Sequence, residues 1–296
     1  MSYRIDWEDQ RTFLAVLDAG SLSGASRALG LAQPTVRARI EALEGLLGTV
    51  LFTRSVRGLA PTEQARALAD TVRTMARASE AFVRLASAPP GEPAGVVRLS
   101  VSEFVGIEVL PAMLASLRAS YPKLIVEYEL SNVSADLLEQ EVDIAVRMHE
   151  PKQEALIAAK VPAIPVGLFA HADYLAKNGT PKTLTDLAQH ALIGPDRSKA
   201  DLALLRKFLP NLDRARLVVR TDSHPAQLAA ARAKLGIAVV QKPVGLADPS
   251  LRPVLPKLTV MALETWIVTH ESLRSLARVN AVFDHLVTAF RKYGRN

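Results

Sequence analysis

Three stretches carry side chains whose types and spacing could do chemistry. The first is Gln33-Pro34-Thr35-Val36-Arg37-Ala38-Arg39. Gln suits adenine, Arg suits guanine, and a Thr hydroxyl suits either a base or a phosphate. The second is Leu51-Phe52-Thr53-Arg54-Ser55-Val56-Arg57-Gly58-Leu59. It reads as two short strands around a Gly-containing turn, and a wing carrying Arg54 and Arg57 can touch phosphates beside a groove. The third is dispersed. Ser102-Glu103-Phe104 and Thr221-Asp222-Ser223-His224 each stand at the end of a strand pattern, and Arg147 ends the run Asp143-Ile144-Ala145-Val146-Arg147. Hydroxyls, free amides at helix N-termini and a guanidinium are all donors. Together they suit a small anion, most simply a carboxylate. Phe104 offers an apolar wall. Glu103 and Asp222 oppose an anion, which leaves a neutral polar ligand as the alternative. A Ser after a strand is also an ordinary helix cap, and Arg147 an ordinary structural ion pair.

Other chemistries are disfavoured. With no cysteine there are no disulfides, thiolate metal sites or cysteine nucleophiles. The six histidines, His149, His171, His190, His224, His270 and His285, never pair at i, i+4, so catalytic zinc is not expected. Gly20-Ser21-Leu22-Ser23-Gly24 has the wrong Ser spacing for a nucleophile elbow. No phosphate-binding glycine loop occurs, and no cofactor is called for. The sequence therefore points away from an enzyme.

These residues need elements to hold them. A first helix starts at the N-cap Asp6, with Asp9 as a capping acid, and stops at Gly20. A second, capped by Ser23, runs to Leu29 and stops at Gly30. Only Leu31 and Ala32 precede a third, whose apolar Val36, Ile40, Leu43 and Leu47 define one buried face. Pro34 and Ala38 then point outward, flanked by Arg37 on one side and Thr35 and Arg39 on the other. Gln33 lies at the open N-terminal end, and Glu41 is one turn beyond Arg37, placed to pair with it. Two short helices around a tight turn make a helix-turn-helix, whose second helix enters the major groove. The same pattern fits three amphipathic helices with a solvated polar face.

Residues 62–87 form one long helical pattern with a seam at Leu68, Thr71, Met75, Ala78, Phe82 and Leu85. That is a heptad spacing suited to a partner helix. Pro and Gly mark residues 88–95 as a linker. Beyond it, strands at 96–102, 124–130, 143–147, 166–170, 217–221, 237–241 and 265–269 alternate with helices. The helices expected are 107–121 with Pro111 near its start, one from Pro225 to Leu235 stopped by Gly236, and 273–291. Alternation implies α/β architecture with largely parallel sheets.

The chain has 296 residues, 49% hydrophobic and 22% charged, and a net charge of +6. This length suggests two or three domains. Residues 1–87 contain eleven Arg and no Lys, which suits a polyanion but also follows from GC-rich codons. No apolar run is long enough to span a membrane and no leader is apparent, so a soluble cytoplasmic protein is expected.

The N-terminal residues resemble those of LysR-type transcriptional regulators. The match runs without gaps through Phe13-Leu14-Ala15-Val16, Gly20-Ser21-Leu22-Ser23-Gly24-Ala25, Ala28-Leu29-Gly30-Leu31, Gln33-Pro34-Thr35-Val36, Ile40-Glu41-Ala42-Leu43-Glu44, Leu51-Phe52-Thr53-Arg54, Arg57-Gly58 and Thr62-Glu63. There are departures. Ala32 stands where the family has a capping Ser or Thr, and Arg37-Ala38 where many members have Ser then Arg. Thr62-Glu63-Gln64-Ala65 lacks a common following Gly.

The resemblance implies a multidomain fold. An all-α winged helix-turn-helix occupies residues 1–60, a dimerisation helix 61–87 and a hinge 88–95. An α/β effector domain at 96–296 has two Rossmann-like subdomains, like a type 2 periplasmic binding protein. One comprises about 96–161 and 268–296, the other about 162–267, joined by two crossing strands. The implied function is effector-responsive regulation of transcription, with double-stranded promoter DNA and a small molecule as partners. Homodimers or homotetramers would form through the linker helix and effector domain, with RNA polymerase a further candidate partner. Candidate DNA contacts are Ser23, Gln33, Pro34, Thr35, Arg37, Arg39, Arg54 and Arg57. Candidate effector contacts are Ser102, Glu103, Phe104, Arg147, Thr221, Ser223 and His224. The alternatives are an enzyme tethered to DNA by the same N-terminal domain and a ligand-independent architectural protein.

Overall fold

The structure is a computed structural model that describes residues 5–55, 58–86, 91, 93–132, 142–151, 155–209 and 214–295. The chain forms two compact units. Met1–Ser87 belongs to one, and Ala88–Leu138 with Val142–Asn296 to the other. No helix among the described residues is long and apolar enough to cross a membrane.

The first unit runs α1 (Trp7–Ala19), α2 (Leu22–Leu29), α3 (Gln33–Leu47), β1 (Phe52–Ser55), β2 (Gly58–Pro61) and α4 (Glu63–Ala86). The Asp6 carboxylate caps α1 by accepting from the Glu8 N–H, and left-handed Gly20, Gly30 and Gly48 end the first three helices. The cap of α2 is Ser21, not Ser23. Ser21 is the extended residue, and its Oγ accepts from the Gly24 N–H at 3.1 Å, so Ser23 already lies inside the helix. Ala32 precedes α3 with no side-chain cap, and Pro34 in its first turn needs no N–H partner there. Phe13, Val16, Ala25, Val36, Ile40, Leu43 and Leu51 form the core between these helices and the wing.

Two polar ties hold the β1–β2 hairpin. The Glu44 carboxylate accepts from the Leu51 N–H at 2.6 Å and the Phe52 N–H at 3.2 Å. The Leu59 N–H donates to the Gly20 carbonyl at 2.8 Å. That second bond brings Gly58 so close that an added Cβ would lie 2.6 Å from the Gly20 carbonyl oxygen, at φ +123°. Only glycine fits. The helix α4 is shared between two environments. Its Ala65, Ala69 and Val72 are buried, Ala65 and Val72 in this core, whereas Met75, Phe82 and Val83 are exposed. The heptad seam is likewise divided. Leu68 packs on the core, while Thr71, Met75, Ala78 and Phe82 face outward. The Leu85 side chain lies outside the described residues.

The second unit is built on a seven-stranded mixed sheet. Strands β3 (Gly95–Val101), β4 (Leu124–Leu130) and β5 (Ile144–Arg147) pair in parallel, with β3 in the middle. The sheet is not largely parallel overall, because two long strands run back through it. They are β6 (Leu156–His171) and β11 (Met261–His270), antiparallel to each other over most of their length. The first half of β6 stays beside β11. Its second half takes β9 (Ala238–Gln241) and β10 (Leu251–Val254) as further antiparallel neighbours. A separate parallel pair, β7 (Leu192–Gly194) and β8 (Leu217–Arg220), completes the second lobe.

Helix α5 (Leu110–Ser120) does not begin with Pro111. Helical backbone starts at Glu103 and passes through a π turn, Val105–Val109, immediately before the proline. A proline lacks the N–H of an interior turn and collides with the carbonyl four residues back, and a π turn absorbs both. The second lobe adds α6 (Ala172–Asn178), α7 (Lys199–Phe208), α8 (His224–Arg232) and α9 (Lys242–Ala247). Helix α8 stops at Arg232, earlier than Gly236 suggested, and its exit residue in the left-handed region is Lys234 at φ 68°. The last helix, α10 (Ala277–Tyr293), buries Val279, Val282, Phe283, Leu286 and Phe290 in the main core. Arg232 forks onto both Glu108 oxygens at 2.9 and 2.8 Å and reaches Asp248 at 2.8 Å, tying α8 to the π turn of the first lobe.

The Gly58 packing gives a test. Gly58→Ala should destabilise the first unit by about 1–3 kcal/mol, the usual cost of a strained backbone position. Thermal unfolding followed through Trp7 in a Trp266→Phe background should show a lower transition. An unchanged transition would mean the wing is not held against the α1–α2 turn.

Candidate functional sites

The first unit presents one polar face of α3. Gln33, Pro34, Thr35, Arg37 and Ala38 are exposed, while Val36 and Ile40 on the opposite side are buried. Arg37 has no hydrogen-bond or ion-pair partner among the described residues, so it does not pair with Glu41. Arg39 behaves differently. It is half-buried, and its Nη1 donates to the Glu8 carboxylate at 3.1 Å and to the Glu8 carbonyl at 3.4 Å. It therefore ties α3 to α1. Ser23 is exposed on α2, and Arg54 is exposed on β1. Arg57 lies outside the described residues. The unit thus offers a helix end rich in hydrogen-bonding groups beside a hairpin with a free cation.

The second unit encloses a cleft of about 590 Å³. The ends of β3 and β5 supply Ser102 and Arg147 to it, followed by Phe104, Ser131 and Asn132. The other lobe supplies Asp222 and His224 from the start of α8, Ser198 and Asp201 from the start of α7, and a broad apolar surface. Glu103, Thr221 and Ser223 do not line the cavity. They join its edges instead. Ser223 Oγ donates to Glu103 Oε2 at 3.0 Å, so the two hydroxyl-bearing strand ends do meet, but through a carboxylate. Ser223 Oγ also caps α8, and Thr221 Oγ1 accepts from the Ser223 N–H at 3.2 Å.

The helix N-termini are less free than a sequence suggests. The Asp222 carboxylate accepts from the backbone N–H groups of Asp196, Arg197 and Ser198 at 2.9–3.1 Å. Those amides precede α7, and their hydrogen bonds hold the Asp222 carboxyl below the usual range. An internal carboxylate thus already occupies that donor nest. His224 Nε2 meets Asp201 Oδ2 at 3.4 Å across the same corner. The Asp201 carboxylate pushes the His224 pKa up from 6.5, and its own pKa is lowered by the same bond.

Arg147 is the cation at the other side. It is 7% exposed, and its donors reach only neutral groups: the Ser100 carbonyl at 3.2 Å, the Val146 carbonyl at 3.2 Å and Ser100 Oγ at 3.1 Å. No carboxylate lies within ion-pair distance among the described residues. Burial lowers its pKa, and the more distant Glu129 opposes that. The structural ion pair foreseen for it does not form. Among the described residues no group of His, Asp and Glu is arranged to hold a metal.

Sequence reasoning missed Asn132, whose side chain accepts from the Glu103 N–H at 3.1 Å, and the whole of α7. The signal for α7 was present: Ser198 with Asp201 makes a capped start, and Leu202, Leu205, Phe208 and Leu209 follow at helical spacing.

Comparison with known proteins decides the family. Residues 7–66 match the model of the bacterial regulatory helix-turn-helix protein, lysR family, and residues 90–291 match that of the LysR substrate binding domain. The chain belongs to the LysR family. An HTH-type transcriptional repressor of Pseudomonas aeruginosa is 30% identical over 178 residues, 60% of this chain and 56% of that protein. The HTH-type transcriptional activator TtdR of Escherichia coli is 27% identical over 183 residues, 62% of this chain and 59% of that protein. The chain thus spans under two thirds of the length of these relatives. LysR-family folds agree over nearly the whole chain. The crystal structure of the LysR family transcriptional regulator CbnR matches with a TM-score of 0.71 at 18% identity, covering 96% of this chain and 99% of that one. The Vibrio cholerae virulence activator AphB matches with a TM-score of 0.61 at 20% identity, covering 96% and 99%.

The His224–Asp201 pair generates a pH prediction. His224 has a raised pKa in the folded chain, so its contribution to stability is fully present below 6.5 and fades as pH rises through the raised value. Asp201 sets the acid limit, where its contribution falls away as pH drops through its lowered value. A proton NMR titration should place His224 above 6.5, and Asp201→Asn should bring it down. Overlapping curves for the two proteins would mean the pair does not form in solution.

Proposed function

We propose that this LysR-family chain is a transcriptional regulator that binds promoter DNA through α3 and the β1–β2 wing and senses a small anion in the cleft of its second unit. The observation that carries the DNA reading is the exposed end of α3, where Gln33, Thr35 and Arg37 lie open, in a unit whose wing also exposes the cationic Arg54. Helix-turn-helix units place such a helix end against base edges in the major groove. Gln33, Thr35 and Arg37 are then base readers with Pro34 beside them, and Arg54 and Arg57 are phosphate contacts. Ser23, exposed on α2, is a further candidate contact. Arg39 is removed from the readers, since its guanidinium is engaged by Glu8. The solved structure of CbnR with its target DNA complex has the same overall fold, with a TM-score of 0.69 at 18% identity.

Assembly is proposed through the exposed apolar residues of α4, Met75, Phe82 and Val83, with Ile125, Tyr128 and Leu130 on the edge strand β4 as a second surface. A two-fold dimer matches an inverted-repeat operator with half-sites one or more helical turns apart. The effector is proposed to be anionic because Arg147 is buried with only neutral partners, where a carboxylate would complete its fork.

Two substitutions separate base reading from phosphate contact. Arg37→Ala should weaken binding to the preferred site by about 1–3 kcal/mol and flatten sequence preference. Arg54→Ala should weaken binding to all sequences alike and reduce the salt slope by about one. Both are read by fluorescence anisotropy with DNA selected from random sequence by the wild-type protein. An Arg37→Ala protein with undiminished sequence preference would remove Arg37 from the base-reading role.

A further inference from the structure

The cleft lining is mostly apolar, with polar groups contributed by both lobes. Around Arg147 lie Ser102 and Asn132. Beyond them the lining includes Leu187, Ile193, Leu205, Phe208, Val260 and Leu263. Helix α7 supplies part of that surface in an unusual way. Not one of its residues is buried, although Leu204, Leu205 and Phe208 face the cavity. Its N-terminal end is clasped through Asp222 and His224, and towards its other end Leu205 and Leu209 pack, half-buried, on the core of the second lobe. Protein interiors elsewhere are close-packed. Water fills a cavity well only where it finds polar partners, and the side chains of Leu204, Leu205, Phe208, Val260 and Leu263 offer none. The space beneath α7 is therefore suited to an apolar body.

Charge restricts the other end of the ligand. Arg147 offers the cationic contact without a carboxylate partner, so the head group is anionic. The corner at the starts of α7 and α8 holds Asp201 and Asp222 against His224, with Glu103 of the first lobe at its edge. A second carboxylate on the ligand would meet that negative corner. A molecule with a charge at each end is disfavoured, and so is an amine, which would face Arg147.

We propose that the cleft is built for an amphipathic monocarboxylate, its head on Arg147 and its aliphatic or aryl chain laid under α7. This rests on the reading of the cleft as an anion-responsive site and goes beyond it by fixing the ligand's shape and charge. It also gives α7 a role: Leu205 already packs on the core of the second lobe, and a chain that fills the cavity adds an apolar neighbour for Phe208 beside it.

The test is calorimetric titration of the full chain with straight-chain carboxylates of increasing length, kept below their micelle concentrations, beside alcohols, amines and α,ω-dicarboxylates of matched length. Each added methylene should tighten Kd about fourfold, equivalent to ~0.8 kcal/mol of buried CH₂, until the cavity is full. Phe208→Ser should flatten that dependence, with an unchanged thermal transition showing that the variant is folded. Arg147→Gln should abolish the preference for acids over alcohols. Short acids or dicarboxylates binding best, with no gain from length, would overturn the amphipathic ligand and leave an anionic effector standing. The same methylene gain in Phe208→Ser would overturn it as non-specific adsorption. Amines binding best, or no acid binding at all, would overturn both this proposal and the anion reading beneath it.

Discussion

Everything in the second unit depends on one antiparallel pairing, that of β6 with β11. These strands run beside each other from Leu156–His270 to Val166–Met261, with an irregularity between Leu263 and Thr265. At one end β11 also pairs with β5, which places it in the sheet of the first lobe. At the other, β6 pairs with β9 and β10 of the second lobe. The two lobes are thus one sheet pulled into two halves by a shared pair of strands. The cleft is a consequence of that geometry, since the parallel strands of the first lobe end where the crossing strands leave it. Open α/β sheets commonly bind ligands beyond the carboxyl ends of their strands.

The cleft draws its chemistry unequally from the two lobes. The first lobe contributes donors, Arg147 and Ser102, at strand ends. The second contributes much of the apolar surface and two carboxylates already engaged, Asp222 by backbone amides and Asp201 by His224. A buried guanidinium without a carboxylate is unfavourable in isolation. Here its cost is limited by Ser100 Oγ and two carbonyls, with Glu129 acting on it from a greater distance. Polar bonds also cross between the lobes: Ser223 to Glu103 at the cleft edge and Arg232 to Glu108 on another face. A ligand that alters the first of these has a direct route to the relative placement of the lobes.

The first unit was legible in the sequence almost residue by residue, because its signals are local. Glycines end three helices, Pro34 opens α3, and a 4-3-4 apolar spacing selects one face. The error at Ser23 shows the limit of local signals. Two serines stand two residues apart, and which one caps depends on the backbone leaving Gly20. Arg39 shows another limit, since Glu8 is 31 residues away and no spacing rule connects them. In the second unit the strand cores were visible and the family resemblance implied two crossing strands, but the length and path of those strands were not legible. Pro162 and Pro165 interrupt β6 in sequence, yet Pro165 sits in register opposite Ala262 in the ladder. The occupied donor nest was invisible for the same reason as Arg39: Asp222 lies 24–26 residues from the amides it accepts from. Ser102 and Arg147 were found because strand ends are predictable positions. The apolar half of the cleft was missed because its walls come from β7, α7 and β11 together.

The account joins a DNA-reading unit to a ligand-sensing unit, and its central claim is that the two are energetically coupled. Coupling between two sites is reciprocal: DNA must change ligand affinity by the same factor that ligand changes DNA affinity. The direct measurement is the Kd of the tightest-binding carboxylate for the full chain, free and saturated with its selected DNA site, beside the reverse experiment. The account predicts a difference of at least about fivefold, equal in both directions, as is usual for coupled sites. Identical ligand affinities with and without DNA would contradict it.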